Sequence, residues 1–199
     1  MNYNKAKKIF SGLFRFLYRL KIVGEENIPK ESGYMVCSNH IALFDPVMLA
    51  IAFPSQIHFM VKKESMDSPF GKFLRSLGCF GVNRGTADKT ALKTAIGFLH
   101  NGECLGVFPQ GTRRPKVDPK TTPVKTGISM IAYRTGSDVV PVFIKTKKRK
   151  LSIFSKTTVT IGKPIKNADL GIESGTASEY RRAADLVFSE ICALEGGES

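Results

Sequence analysis

The chain is expected to fold as one α/β domain, a single domain with a largely parallel or mixed sheet flanked by helices and an N-terminal amphipathic helix. Two observations predict this. Short apolar runs at residues 34–37, 57–61, 104–108 and 139–144 alternate with longer segments whose apolar residues recur every three or four positions. The chain also has 199 residues, 42% of them hydrophobic, and no low-complexity tract, enough for one substantial core.

Charge and cysteine content narrow the class. Thirty Lys and Arg against 17 Asp and Glu give +13, which calls for an anionic partner: nucleic acid, a membrane surface or a phosphorylated substrate. Cys37, Cys79, Cys104 and Cys192 form no Cys-x-x-Cys pair, and three lie in apolar stretches. They read as reduced core residues of a cytosolic protein, not as a disulfide framework or metal site. No apolar run reaches transmembrane length, and the N-terminus lacks the pattern of a signal peptide. A cytoplasmic protein attached to a membrane surface is the expectation.

Residues 5–21 are predicted helical. At about 100° per residue, Lys5, Lys8, Arg15 and Arg19 share one face, with Ile9, Phe10, Leu13, Phe14, Phe16, Leu17 and Leu20 on the other. Such a helix can lie in a membrane interface with its cations towards anionic headgroups, or dock on the protein's own core; both fates can hold for different parts of it. A turn over residues 24–33 leads to the first strand.

That strand delivers Ser38-Asn39-His40-Ile41-Ala42-Leu43-Phe44-Asp45-Pro46. Asp45 and Pro46 make a good helix opening, the aspartate accepting from orphan amides and the proline fixing φ. His40 lies at a strand end, where active-site loops gather, and a histidine with a nearby carboxylate is a general base held in one tautomer. A helix over 47–52 and a strand over 57–61 follow, His58 being a packed or surface histidine. A helix over 69–77 and a strand over 79–82 lead to Asn83-Arg84-Gly85, where an arginine can reach a phosphate or remain solvated.

Thr86 can cap a helix over 87–101 that ends at Gly102, with Leu92, Ala95, Ile96 and Leu99 facing a sheet. The strand over 104–108 runs into Pro109-Gln110-Gly111-Thr112-Arg113-Arg114. An amide, a glycine that bares its backbone and two arginines at one strand exit make a plausible phosphate cradle. A helix over 124–134 points Ile128, Ile131 and Ala132 inward; strands over 139–144 and 157–161, a basic loop between them and a helix over 178–194 complete the chain.

Asn39-His40 with Asp45, Val82-Asn83-Arg84, Phe108-Pro109-Gln110-Gly111-Thr112-Arg113 and Val139-Val140-Pro141-Val142 together resemble the four ordered blocks of the 1-acylglycerol-3-phosphate acyltransferase family. The resemblance implies a glycerophospholipid acyltransferase that moves a fatty acyl group from an acyl thioester to the free hydroxyl of lysophosphatidic acid, giving phosphatidic acid. It implies His40 as the base and Asp45 as its orienting carboxylate, with no acyl-enzyme, metal or cofactor. Asn39, Lys62, Arg84, Gln110, Gly111, Thr112 and Arg113 are the implied substrate-binding residues. The thioester would be carried on acyl carrier protein or coenzyme A.

In this reading residues 1–23 are a membrane-association helix, peripheral on the cytoplasmic side of an anionic membrane, and 24–195 the acyltransferase domain. The family's third block usually has glutamate where this chain has Gln110, which leaves the acceptor open to another lysolipid. Two other classes compete. A nucleic-acid-binding protein would use the charge, but no binding motif is present and no nucleic acid is expected. A thioester hydrolase could use the same His and Asp with water, although no Gly-x-Ser-x-Gly supplies a serine nucleophile.

Overall fold

Seven strands form one mixed sheet in the order β1-β7-β6-β2-β5-β3-β4. The computed structural model describes residues 3–69, 71–83 and 88–196, without the side chains of residues 4–6. The strands are β1 Leu20–Val23, β2 Met35–Ser38, β3 Ile57–Lys62, β4 Phe80–Val82, β5 Cys104–Val107, β6 Val139–Thr146 and β7 Thr157–Ile161. The helices are α1 Tyr3–Leu17, α2 Asp45–Ala52, α3 Lys63–Met66, α4 Gly71–Ser76, α5 Lys89–His100, α6 Gly127–Thr135 and α7 Ala177–Ala193.

Strands β6, β2, β5, β3 and β4 are mutually parallel, while β7 and its parallel neighbour β1 run against them. Five carboxyl ends therefore open on one edge of the sheet, where ligands of α/β folds gather. Pro141 lies where the β6–β7 pairing ends: its carbonyl accepts from Gly162 N–H at 2.8 Å, and its missing amide costs the ladder only the last reciprocal bond.

Alternate residues of β2 point to opposite faces, as strand geometry requires. Tyr34, just before β2, and Val36 join the core under α1 and α2, whereas Met35 and Cys37 join the core beneath α5, α6 and α7. Ala95, Leu99, Ile128, Ile131 and Ala132 are buried as their spacing predicts. Helix α7 starts with a capping box between Thr176 and Glu179. All four cysteines are free, and burial pushes the Cys37 thiol up to about 12 and those of Cys79 and Cys192 up to about 11. None of these three is a thiolate nucleophile at neutral pH.

Several local expectations need correction. Residues 20–23 extend the sheet instead of the N-terminal helix: Arg19 turns the chain at φ 42°, and Leu20 pairs with Thr157. The boundary drawn at 23/24 thus falls at the end of a sheet strand. Helix α6 begins at Gly127, three residues later than residue 124. Asp88 caps α5, its carboxylate accepting from Ala91 N–H at 2.9 Å and from Asn83 N–H at 2.8 Å. Thr86, the expected cap, lies outside the described residues, as do Arg84 and the side chain of Lys5.

His58 is a packed histidine. Its ring stacks on Phe98 at 3.9 Å, Nδ1 lies 2.9 Å from Gly78 O, and Nε2 lies 2.6 Å from a Glu103 carboxylate oxygen.

Helix α1 divides its apolar residues between two environments. Phe14 and Tyr18, just past its end, are buried in the core, with Phe10 and Leu17 packed against them. Lys7 donates to the carbonyls of Phe53 and Pro54 at the end of α2, and its burial lowers its pKa. Ile9, Leu13 and Phe16 face outward. No helix of the described residues is long and apolar enough to cross a membrane.

Candidate active site

His40 leaves the carboxyl end of β2, and the next turn carries Asp45 back beneath it. Asp45 Oδ2 lies 2.8 Å from His40 Nδ1 and also accepts from Ile41 N–H at 2.6 Å and Ala42 N–H at 2.8 Å. This differs from the expected helix cap: the residue before α2 is Phe44, and the carboxylate bonds backwards into its own loop. Three groups converge on this one oxygen, and with the carboxylate accepting from the ring, the imidazole proton sits on Nδ1. His40 Nε2 makes no hydrogen bond among the described residues. An imidazole so held offers its remaining lone pair to an incoming hydroxyl.

The rest of the imidazole environment is apolar and rigid. Phe108, at the exit of the neighbouring strand β5, stacks on the His40 ring at 4.0 Å with 16° between planes. Phe59 lies behind Phe108 at 6.1 Å. The Phe59 ring occupies the space in which a Cβ at Gly106 would sit, so β5 has glycine there.

Two expected substrate contacts are turned into the protein instead. Asn39 is 1% exposed, and its amide donates to Ile144 O at 3.0 Å while accepting from Ile144 N–H at 2.7 Å. It continues the β2–β6 ladder with a side chain. Gln110 is 2% exposed; its Oε1 accepts from His40 N–H at 2.8 Å and its Nε2 donates to Thr122 Oγ1 at 2.8 Å. Both residues hold the backbone that carries His40, Asn39 by tying the end of β2 to β6 and Gln110 from the exit of β5.

The Thr122 hydroxyl explains the amide at 110. Its proton goes to Pro119 O at 2.7 Å, so it presents only lone pairs to its other neighbour. A glutamine can donate to it and a carboxylate cannot. Gln110→Glu is expected to lower stability by about 1–3 kcal/mol, the cost of a buried polar group without its partner. Urea unfolding with the Thr122→Val background as control measures this; equal midpoints for Gln110→Glu and wild type would refute the pairing.

Gly111, Thr112 and Arg113 follow at the same edge. Gly111 has φ +68°, a conformation that suits glycine, and Arg113 is exposed. Lys62, at the end of β3, is exposed and 3.1 Å from Glu64, two strands away from His40. The position of Arg84 lies outside the described residues.

Sequence reasoning missed the backbone supports of His40, and it read Arg114 only as part of a phosphate cradle. Arg114 N–H donates to His40 O at 2.7 Å, and its buried Nε has no partner among the described residues. The amides of Ile41 and Ala42 were likewise unmarked, since backbone donors leave no residue-type signal. Phe108 was within reach, as an aromatic immediately before the Pro109-Gln110 turn.

The acyltransferase family model matches residues 19–145, a stretch that contains all four sequence blocks. The 1-acyl-sn-glycerol-3-phosphate acyltransferase of Bacillus subtilis is 32% identical over 154 residues, 75% of this chain and 75% of that protein. The protein of the same name from Borreliella burgdorferi is 32% identical over 127 residues, of which this chain spans 50% of the relative's length. The solved 1-acyl-sn-glycerophosphate (LPA) acyltransferase PlsC from Thermotoga maritima superposes with a TM-score of 0.70 at 28% identity, covering 98% of this chain and 84% of that one. With more than half of its residues matched by the family model and a relative aligned over three quarters of both chains, the protein belongs to the acyltransferase family of enzymes.

Proposed function

We propose that the protein acylates the free hydroxyl of 1-acylglycerol-3-phosphate from an acyl thioester, giving phosphatidic acid. The observation that carries this is the buried His40–Asp45 pair, 2.8 Å apart, with Nε2 uncommitted among the described residues at the carboxyl edge of the sheet. His40 Nε2 takes the hydroxyl proton as the oxygen attacks the thioester carbonyl carbon. When the tetrahedral intermediate collapses, the C–S bond breaks and the imidazolium returns the proton to the leaving thiolate. Asp45 orients the ring and stabilises its transient positive charge.

The acceptor phosphate is held by Arg113 with the Gly111 and Thr112 backbone turn, together with Arg84 by its place in the second family block and Lys62 as the match to a basic residue used near the same site. Glutamine at 110 is compatible with that acceptor, because its amide is occupied within the protein. The thioester is presented by coenzyme A or acyl carrier protein. The outward residues of α1 and its cations support attachment to an anionic membrane surface on the cytoplasmic side.

Incubating purified protein with radiolabelled acyl-coenzyme A or acyl carrier protein thioester, with and without lysophosphatidic acid, tests the reading. Labelled phosphatidic acid is expected; free fatty acid formed at the same rate in both mixtures would instead identify a hydrolase. Arg113→Ala is expected to raise the acceptor KM about tenfold and leave the donor KM within about twofold, because one phosphate contact is lost on one side only. Equal changes in both constants would remove Arg113 from the acceptor site.

A further inference from the structure

The exposed apolar side chains are concentrated in segments that touch one another. Phe16 on α1 is 71% exposed, Leu43 in the catalytic loop 66%, and Ile153 and Phe154 in the β6–β7 loop 59% and 64%. Phe16 and Phe154 meet edge to face at 6.2 Å, and Phe44 meets the buried Phe14 of α1 at 5.5 Å. Phe154 N–H donates to Leu17 O at 2.6 Å, which pins the loop tip to the end of α1. Ile9 and Leu13 continue the same face of α1. The patch is therefore one surface built from three parts of the sequence, and scattered single apolar residues would not give it.

Two further features bear on what covers it. Phe154 has φ +61°, a costly conformation for an aromatic residue, and its side chain recovers little by burial within the protein. The surrounding chain is cationic: Arg15 and Arg19 flank Phe16, Lys147, Lys148 and Lys150 precede the tip, and Lys156 follows it. Residues 1–24 and 147–156 contain no Asp or Glu. Apolar side chains rimmed by cations without acidic residues match a bilayer that has anionic headgroups.

We propose that these segments form a single bilayer-docking face in which Ile153 and Phe154 are a second insertion point beside α1. The inference rests on the membrane attachment given above and extends it. Leu43 and Phe44 lie three and four residues after His40, so docking seats the catalytic loop against the membrane. An acceptor then approaches His40 from the lipid layer without passing through bulk water.

The chain has no tryptophan, so Phe154→Trp gives a single reporter. On adding mixed phosphatidylcholine–phosphatidylglycerol vesicles, its emission is expected to shift to the blue and to be quenched by brominated acyl chains. The double variant Ile153→Ser, Phe154→Ser should lose about tenfold or more in vesicle affinity, with an unchanged melting temperature because both side chains are exposed. Added salt should weaken wild-type binding. Emission that stays unshifted on vesicle-bound protein, or wild-type affinity in the double variant, would overturn the proposal. So would a double variant whose sedimentation mass falls while vesicle binding persists, since the patch would then join two copies. Turnover of a water-soluble short-chain lysophosphatidic acid should be unaffected by the double variant. Its absence in the wild type would count against acyl transfer itself and leave the vesicle measurements interpretable.

Discussion

His40→Ala is expected to lower turnover by about 10³-fold or more, within reach of a complete loss of detectable product. In the proposed mechanism the attacking hydroxyl then loses the acceptor of its proton. The fold should survive, because Gln110 and Arg114 bind the backbone N–H and C=O of residue 40 and not its ring. What is lost structurally is one stacking contact on Phe108 and one bond to Asp45, about 1–3 kcal/mol. Steady-state acyl transfer measured beside a thermal melt checks both halves. A variant that turns over near the wild-type rate would eliminate the mechanism, whatever its stability.

Asp45→Asn is expected to leave more activity than His40→Ala, about 10²- to 10³-fold below wild type. The amide oxygen can take the place of Oδ2 and keep accepting from Nδ1 and the two backbone amides, so orientation is partly retained. The negative charge that stabilises the imidazolium is lost. The new NH₂ falls where Asp45 Oδ1 sits, buried and without a hydrogen-bond partner among the described residues. A stability cost of about 1–3 kcal/mol follows, from an unsatisfied buried donor. Asp45→Ala, which deserts three donors at once, should be the less stable variant. The expected kinetic signature is a fall in kcat with both Michaelis constants close to wild type; a change confined to the acceptor KM would make Asp45 a binding residue instead.

The strands that reach the site were legible because each is a short apolar run ending in a polar block. The blocks at 38–46 and 108–113 stand at adjacent strand exits, β2 and β5, as a parallel sheet requires. The β1 strand was not legible: Leu20 continues the apolar spacing of α1, and only its pairing with β7, far along the chain, makes it a strand. Asn39 and Gln110 were identified as site residues, but their partners were not. Ile144 lies 105 residues from Asn39 and Gln110 lies 70 from His40. No local spacing encodes such contacts. The one hint was the amide at 110 itself, a neutral donor in a place where the family usually has a charge.

His58 shows how little separates a base from a buttress. The molecule contains two imidazoles of similar burial, each lying flat on a phenylalanine, at 4.0 Å for His40 and 3.9 Å for His58, and each facing a carboxylate. On His58 the second nitrogen is occupied by the Gly78 carbonyl. Both ends of that ring serve as rivets between β3, the start of β4 and the turn before β5. Among the described residues His40 is riveted at one end only, and the proposed mechanism draws on that difference: the same frame serves chemistry or architecture according to whether one electron pair is left uncommitted.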